Sequence, residues 1–412
     1  RVRGRREAQN AAFSILDSVN QYKAAYDTLR TSAGTGEAMQ KLNITYPGTG
    51  SFFSPGTTNV SLSLDVGLAW DTIFHEVSHY VQDINKVGGD WGGPHFINWA
   101  NLTGQTQRRQ DGTVIRASLS KDFALRMAYG EAGATFLGTM LQVEANMSNL
   151  GIDTVGDTSY HSSVDFSVGA QPRVGFSYSL ENNGDNTFPT GGEDSEGGLQ
   201  RVMWDLYDNN MDGNDRMAYG ANEMWKSMNA APRSRGAVSQ KGINFGDFYN
   251  SIAAKSPPEL SSAPSLTEIE RKISLGELLS DHQIGSIPTE PPRESSFPEE
   301  KPTFKWETRG SRLDSVDARK GYHFNNFTVT FYNKDFSSEV FKKEMAVDLD
   351  NNNATMAEWT PTDAEWETIS TADSLVHWVV EGQDDITDPK GPLYPGRSSS
   401  LRGVDLSLVI DD

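Results

Sequence analysis

The sequence predicts an α+β chain, mainly helical up to residue 287 with a small sheet near its start, and ending in an antiparallel β-sandwich. Three observations predict this. Apolar residues recur at helical spacing in several long stretches of the first 287 residues. A proline-rich, charged stretch, "PTEPPRESSFPEEKP" (288–302), then has the composition of a stiff linker. Beyond it, short aromatic and β-branched runs are spaced by turn residues. The 412 residues suit more than one domain. The divisions expected are 1–287, a linker at 288–300, and 301–412.

The elements follow in order. Residues 7–30 carry apolar positions at helical spacing and read as one amphipathic helix. The segment 42–67 is punctuated by Gly and Pro and alternates in "NVSLSLDV", as a small sheet does. "DTIFHEVSHYVQDINKVGG" (71–89) is the next helix, with Asp71 as its expected N-cap and Gly88-Gly89 as its expected stop. Residues 88–120 read as a long loop, 121–149 as a second long helix, and 151–198 as loop. "GGLQRVMWDLYD" (197–208), "GINFGDFYNSIAAK" (242–255) and "SLTEIERKISLGELLSDHQI" (265–284) return to helix. In the last region "TFKWET", "NFTVTFYN", "KEMAVDLD" and "LVHWVVEG" are strands, and "WTPTDAEW" (359–366) resembles an aromatic-flanked turn of an immunoglobulin-like or fibronectin-like sandwich. His323 and His377 lie in those strand-like runs and are expected to pack there.

Bulk composition narrows the function. A formal net charge of −20 argues against nucleic acid and against an anionic membrane surface as partners. No apolar run approaches the ~20 residues of a membrane-spanning helix. The absence of cysteine excludes disulfides and cysteine-based zinc sites.

Residues four apart on a helix share a face, so His75 and His79 can present two imidazoles to one metal ion. Glu76 lies about 100° round the helix, beside such an ion rather than on it. A carboxylate there can take a proton from a metal-bound water and pass it to a leaving amine. The competing reading is an amphipathic helix that carries two histidines, but the chain has only seven. Hydrolytic zinc sites use three protein ligands. Gln82 and Asn85 exclude the arrangement with a third histidine six residues on. Glu131 is the only acidic residue between Asp122 and Glu144, and it stands among Gly130, Ala132, Gly133, Ala134 and Gly138. Each mid-helix glycine costs about 1 kcal/mol relative to alanine. Close approach of a second helix, bringing Glu131 to the metal, is a reason for them.

At this point the chain resembles a family. "HEVSHYVQ", "GGDWGGPHF", "AYGEAGATF" and "VMWDLYDNN" are similar, in that order, to motifs of gluzincin-type peptidases, and more closely to bacterial, often exported, predicted zinc metallopeptidases. The resemblance covers roughly residues 8–287. It implies a zincin-like catalytic domain with His75, His79 and Glu131 as zinc ligands and Glu76 as general base, acting on proteins or peptides outside the cytoplasm, in the periplasm or extracellularly. Ser78 departs from the family's glycine, and Ala132-Gly133 from its glycine-aromatic pair, which bears on the cleft wall and so on substrate preference. The alternative is an extracellular binding or adhesion protein that retains zinc with little or no turnover.

An oxyanion needs a stabilising donor. His161, in "TSYHSSVDF", is the favoured candidate, with Tyr160, Tyr129 and His95 behind it. Asp205, Asp71 and Asp194 are candidates to support the metal histidines. "DNNMDGND" (208–215) matches the first half of a calcium loop through Asp208, Asn210, Asp212 and Gly213, but Tyr219 stands where the closing Glu belongs. "DLDNNN" at 348 is a weaker match. A solvated Asn/Asp turn is the alternative to calcium for both.

Overall fold

The computed structural model describes the chain apart from residue 1 and residues 90–101, 109–112, 153, 163, 166–172, 175–176, 182–191, 211–216, 231–234, 237–238, 241, 256–266, 283, 294, 297, 299, 309–323, 348–355, 384–393 and 403–412. His95, His323, Asp212, Gly213 and the 348 stretch therefore lie outside the described residues.

The first helix, α1 (Val2–Ala33), leads to a three-stranded sheet of β1 (Asn43–Thr45), β2 (Phe52–Phe53) and β3 (Asn59–Ser61). β3 sits between the others, parallel to β1 and antiparallel to β2. α2 (Trp70–Asn85) follows, then the hairpin β4 (Gln107–Arg108) and β5 (Val114–Arg116), and α3 (Lys121–Glu144). Two small antiparallel pairs come next. β6 (Ser159–His161) pairs with β9 (Ser177–Ser179), and β7 (Val164–Asp165) with β8 (Arg173–Val174). α4 (Glu196–Tyr207), α5 (Gly220–Ala230), the pair β10 (Arg235–Gly236) and β11 (Ser239–Gln240), α6 (Phe245–Ala253) and α7 (Glu268–Asp281) complete this part.

α3 is the central helix. Nearly every residue from Lys121 to Gln142 is buried, as expected of a helix covered on all sides. α2 and α4 pack on it. Glycine permits the closest approach. A Cβ on Gly138 would lie 3.2 Å from Phe74 Cβ and 3.4 Å from the His75 nitrogen. Gly89 serves the same contact. A Cβ there would fall 1.7 Å from the Arg126 carbonyl oxygen. It does not end α2, which stops at Asn85 because Lys86 takes the left-handed conformation and its N–H returns to the last turn. Nor is Asp71 the N-cap. Ala69 holds that place without a side-chain bond, and Asp71 is buried in the first turn. α3 ends at Glu144, earlier than its apolar pattern suggests, and a 3-10 turn (Met147–Leu150) follows.

The C-terminal strands form two sheets. β12 (Ile287–Glu290), β14 (Phe304–Glu307) and β17 (Met356–Trp359) make one, in the order β12-β14-β17. β13 (Ser295–Ser296), β15 (Asn326–Tyr332), β16 (Glu339–Ala346), β18 (Leu375–Gln383) and β19 (Tyr394–Arg402) make the other, in the order β13-β19-β18-β15-β16. Its pairs are antiparallel except β13 with β19. Aromatic rings join the sheets. Phe304 meets Phe331 and Trp378 at 5.1 and 5.0 Å, and Trp306 meets Phe327 at 5.4 Å. β12 and β13, from the proline-rich stretch, pair into these sheets. "TDAEWETIS" is not a turn but a helix, α8 (Asp363–Ser370), started by a capping box between Thr362 and Glu365.

The two parts share one connected apolar core. α7 lies on β19, where Arg397 pairs with Glu277 at 3.0 Å and also with Asp281. Lys272 of α7 pairs with Glu381 of β18 at 2.6 Å, and Phe245 and Tyr249 of α6 meet Tyr394 at 6.2 and 5.0 Å. The architecture is mixed α+β.

Candidate metal centre

α2 carries His75 and His79 on the face turned toward α3. α3 carries Glu131 opposite them. Glu131 Oε2 lies 2.9 Å from His79 Nε2 and 3.3 Å from His75 Nε2. The two imidazoles meet edge to face with centroids 4.6 Å apart. The three donor atoms all fall within 4.8 Å of one another, a group able to hold a metal ion. His75 is 1% exposed, His79 8% and Glu131 7%. Two Nε2 atoms and a carboxylate oxygen converging in a buried place form a donor set of the kind metals take.

The other ring nitrogen of each histidine is held. His75 Nδ1 is 2.8 Å from Thr135 Oγ1, and His79 Nδ1 is 3.2 Å from Gln82 Oε1. Metal-bound imidazoles commonly use this second nitrogen for support. Neither supporting group is one of the aspartates expected from the sequence. Asp205 instead pairs with His282 at 2.6 Å, joining α4 to the end of α7. Asp194 accepts from the Thr103 N–H at 3.0 Å. Asp71 accepts from Gln142 Nε2 at 2.6 Å and from the His161 N–H at 2.9 Å. Burial pushes its carboxyl up to about 7 against those hydrogen bonds. Thr135 and Gln82 were legible in helical periodicity. Thr135 is four residues past Glu131, and Gln82 three past His79, so each shares its ligand's face.

Glu76 is buried, 4% exposed, and not among the three grouped donors. Its charge is felt by Tyr160. Burial drives that phenol far above the usual tyrosine range, the Thr72 hydrogen bond opposes the shift, and Glu76, Asp71 and Glu196 reinforce it. The Tyr160 ring lies edge-on to His75 at 6.2 Å. Tyr160 thus borders the group on its His75 side.

His161 is placed differently from Tyr160. Its backbone N–H binds Asp71, and its Nε2 lies 3.3 Å from Asp157 Oδ2. Burial works to lower the imidazole pKa, but the Asp157 hydrogen bond and the charges of Asp71 and Asp157 outweigh it and raise the value. Tyr129 faces Phe248 of α6, with ring centroids 6.1 Å apart. Ser78 is fully buried and shares a 2.9 Å hydrogen bond with the Tyr22 hydroxyl, tying α2 to α1. Of the calcium candidates, Asp208 caps the end of α4 and Asn210 donates to Glu181. His377 stacks on Phe336 at 4.0 Å.

Among the described residues, no helix is long and apolar enough to cross a membrane. Comparison with family models, curated proteins and solved structures finds no match to this chain.

Proposed function

We propose that the chain is a zinc-dependent peptidase acting on proteins or peptides, with His75, His79 and Glu131 as ligands and Glu76 as base. The observation that carries the reading is the convergence of both histidine Nε2 atoms on Glu131 Oε2. Donors around a tetrahedral zinc, at ligand distances of about 2.0–2.1 Å, stand about 3.3 Å apart. The spacings of 2.9 and 3.3 Å are close to that value. Zinc held there would supply Lewis-acid polarisation of a carbonyl and a lowered pKa for water.

The chain's own residues do the rest. Glu76, next to His75 and outside the donor set, accepts a proton from the attacking water and returns it to the departing amine. Tyr160, whose ring lies edge-on to His75, is the donor we place at a polarised carbonyl oxygen, ahead of His161. We read the two aromatic-packed C-terminal sheets as an accessory sandwich of the immunoglobulin-like or fibronectin-like kind. The resemblance to exported peptidases supports a site of action outside the cytoplasm.

The test is metal content by elemental analysis, with cleavage of a labelled unfolded protein by wild type and Glu76→Gln. The reading expects about one zinc per chain in both. It also expects a loss of at least about 100-fold in rate for the variant. Zinc without Glu76-dependent cleavage would leave a metal-containing binding protein; no zinc would remove the reading.

A further inference from the structure

We infer that Thr72 is a positioning residue for the proposed reaction: its hydroxyl oxygen accepts the Tyr160 hydroxyl proton in the resting site, and so fixes beside His75 the donor that a substrate carbonyl oxygen would meet. The inference deepens the peptidase reading above and rests on it.

A backbone carbonyl sets the direction of the contact, because it only accepts. Thr72 Oγ1 lies 2.7 Å from the Ser162 carbonyl oxygen, so the one Thr72 hydroxyl proton points there. The same Oγ1 is 3.3 Å from the Tyr160 hydroxyl. With its proton on Ser162, Thr72 accepts at this second contact and Tyr160 donates.

The rest of Tyr160 is held as firmly as its hydroxyl. Its ring packs on that of Tyr178, its register partner on β9, with centroids 5.5 Å apart, and meets His75 edge-on. The main chain is gripped by the residue before Thr72. Asp71 Oδ2 accepts from the His161 N–H at 2.9 Å, and Asp71 Oδ1 accepts from Gln142 Nε2 at 2.6 Å. Gln142 Oε1 in turn accepts from the Gly156 N–H at 3.0 Å, which ties the approach to β6 to the last turns of α3. Position 156 needs glycine there, with φ at 78° and a Cβ that would fall 2.2 Å from the Ser148 nitrogen.

Two adjacent side chains in the first turn of α2 therefore hold three successive residues: Tyr160 by its hydroxyl, His161 by its N–H and Ser162 by its carbonyl. His75 follows Thr72 by one turn on the same helix. The helix that presents two of the grouped donors thus also sets where the phenol stands relative to them. Thr72 and Tyr160 are each 6% exposed, so a partner lost by either hydroxyl is not readily replaced by water. A carbonyl oxygen entering the site competes with Thr72 for one proton. The phenol keeps that proton and changes acceptor, so Thr72 holds the donor in place until substrate arrives.

The experiment compares full-length wild type, Thr72→Val, Thr72→Ser, Tyr160→Phe and the double variant of Thr72→Val with Tyr160→Phe. Zinc content is measured first, then kcat and KM on the labelled unfolded protein. Tyr160→Phe removes the donor and should lower kcat about 100-fold. Thr72→Val keeps the shape and loses the acceptor. It should lower kcat about 10-fold, with zinc content unchanged and KM within about threefold of wild type. Thr72→Ser keeps the hydroxyl and should stay within about threefold throughout. In the double variant, Thr72→Val should add less than about twofold to the loss from Tyr160→Phe, because it acts through that hydroxyl. A merely structural threonine would add its full effect. A second readout needs no zinc. In metal-free protein carrying 13C at tyrosine Cζ, the Tyr160 signal, identified by its disappearance in Tyr160→Phe, should move in Thr72→Val and return in Thr72→Ser. An unmoved signal, or losses that multiply in the double variant, overturns Thr72 as a positioning residue while leaving the peptidase reading standing. Thr72→Ala carries the same comparisons should the valine variant not fold. A wild type without zinc or without cleavage overturns both readings, and shows before any variant is compared.

Discussion

Gly133 faces the amide of Gln82 so closely that a Cβ at position 133 would stand 2.8 Å from Gln82 Nε2. That nitrogen is not a loose end. It is bonded to the Gly130 carbonyl, and the same amide holds His79. Gly133→Ala therefore acts on the candidate metal site without touching it. Alanine should add about 1 kcal/mol of helix propensity, so the variant is expected to fold. Displacing Gln82 should weaken zinc binding about 10-fold. Chelator competition beside a melting curve checks both, and unchanged affinity would show that Gln82 does not position His79.

Glu131→Ala removes one of three donors rather than a support. The loss of affinity should exceed the about 100-fold that removal of a supporting residue brings. Glu131 is buried between the two imidazoles, so the alanine also leaves a small void. Metal content after dialysis is the measurement, and a variant that retains zinc would place the third ligand elsewhere.

The pairing of His161 with Asp157 predicts a pH window. The imidazole pKa is raised above 6.5 and the carboxyl is lowered below 3.8. A raised histidine contributes stability that is present below 6.5 and lost as pH climbs through its folded value. A lowered aspartate contributes stability that is present above 3.8 and lost as pH falls through its folded value. The pair thus stabilises between those limits. Asp157→Asn should lower the midpoint of unfolding at about pH 5.5 and leave it unchanged at about pH 9. Asp157 is half exposed, so screening keeps the effect small. Proton NMR of His161 should show a lower pKa in the variant; an unmoved titration would mean the contact does not persist in solution.

The grouping of His75, His79 and Glu131 was readable because the three residues obey local rules. His75 and His79 share a face by spacing alone, and the glycines around Glu131 announce a close neighbour. The supports were readable in the same periodicity, at i+3 and i+4, but a search for carboxylates passed over Thr135 and Gln82. Tyr160 and His161 are adjacent in a strand, and successive residues of a strand point to opposite faces. Sequence does not say which face meets α2. β19 was unreadable for another reason. Its Ser398, Ser399 and Ser400 are buried yet polar, because α7 brings Glu277 to accept from Ser398. No hydrophobic pattern marks a strand whose cover is a carboxylate. α8 was within reach, since Thr362 and Glu365 spell a capping box, but the flanking tryptophans suggested a turn.

Asp205 and His282 form a buried pair that no local pattern joins. Their contact is 2.6 Å, and they are 5% and 1% exposed. The pair ties α4, which carries Glu196 and Gln200, to the end of α7, which carries the C-terminal sheets through Glu277 and Lys272. Asp205→Ala leaves a buried imidazole without its acceptor and should cost about 3 kcal/mol in denaturant unfolding. Asp205→Asn keeps an oxygen for the ring and should cost less. If Asp205 were a support of the metal, as its place in "MWDLYD" suggested, zinc affinity would fall in step with stability. The structure joins it to His282 instead, so zinc affinity measured well below the unfolding midpoint should stay within about threefold of wild type, short of the 10- to 100-fold that a metal support commands. A parallel loss of zinc would mean that the α4–α7 tie reaches the metal.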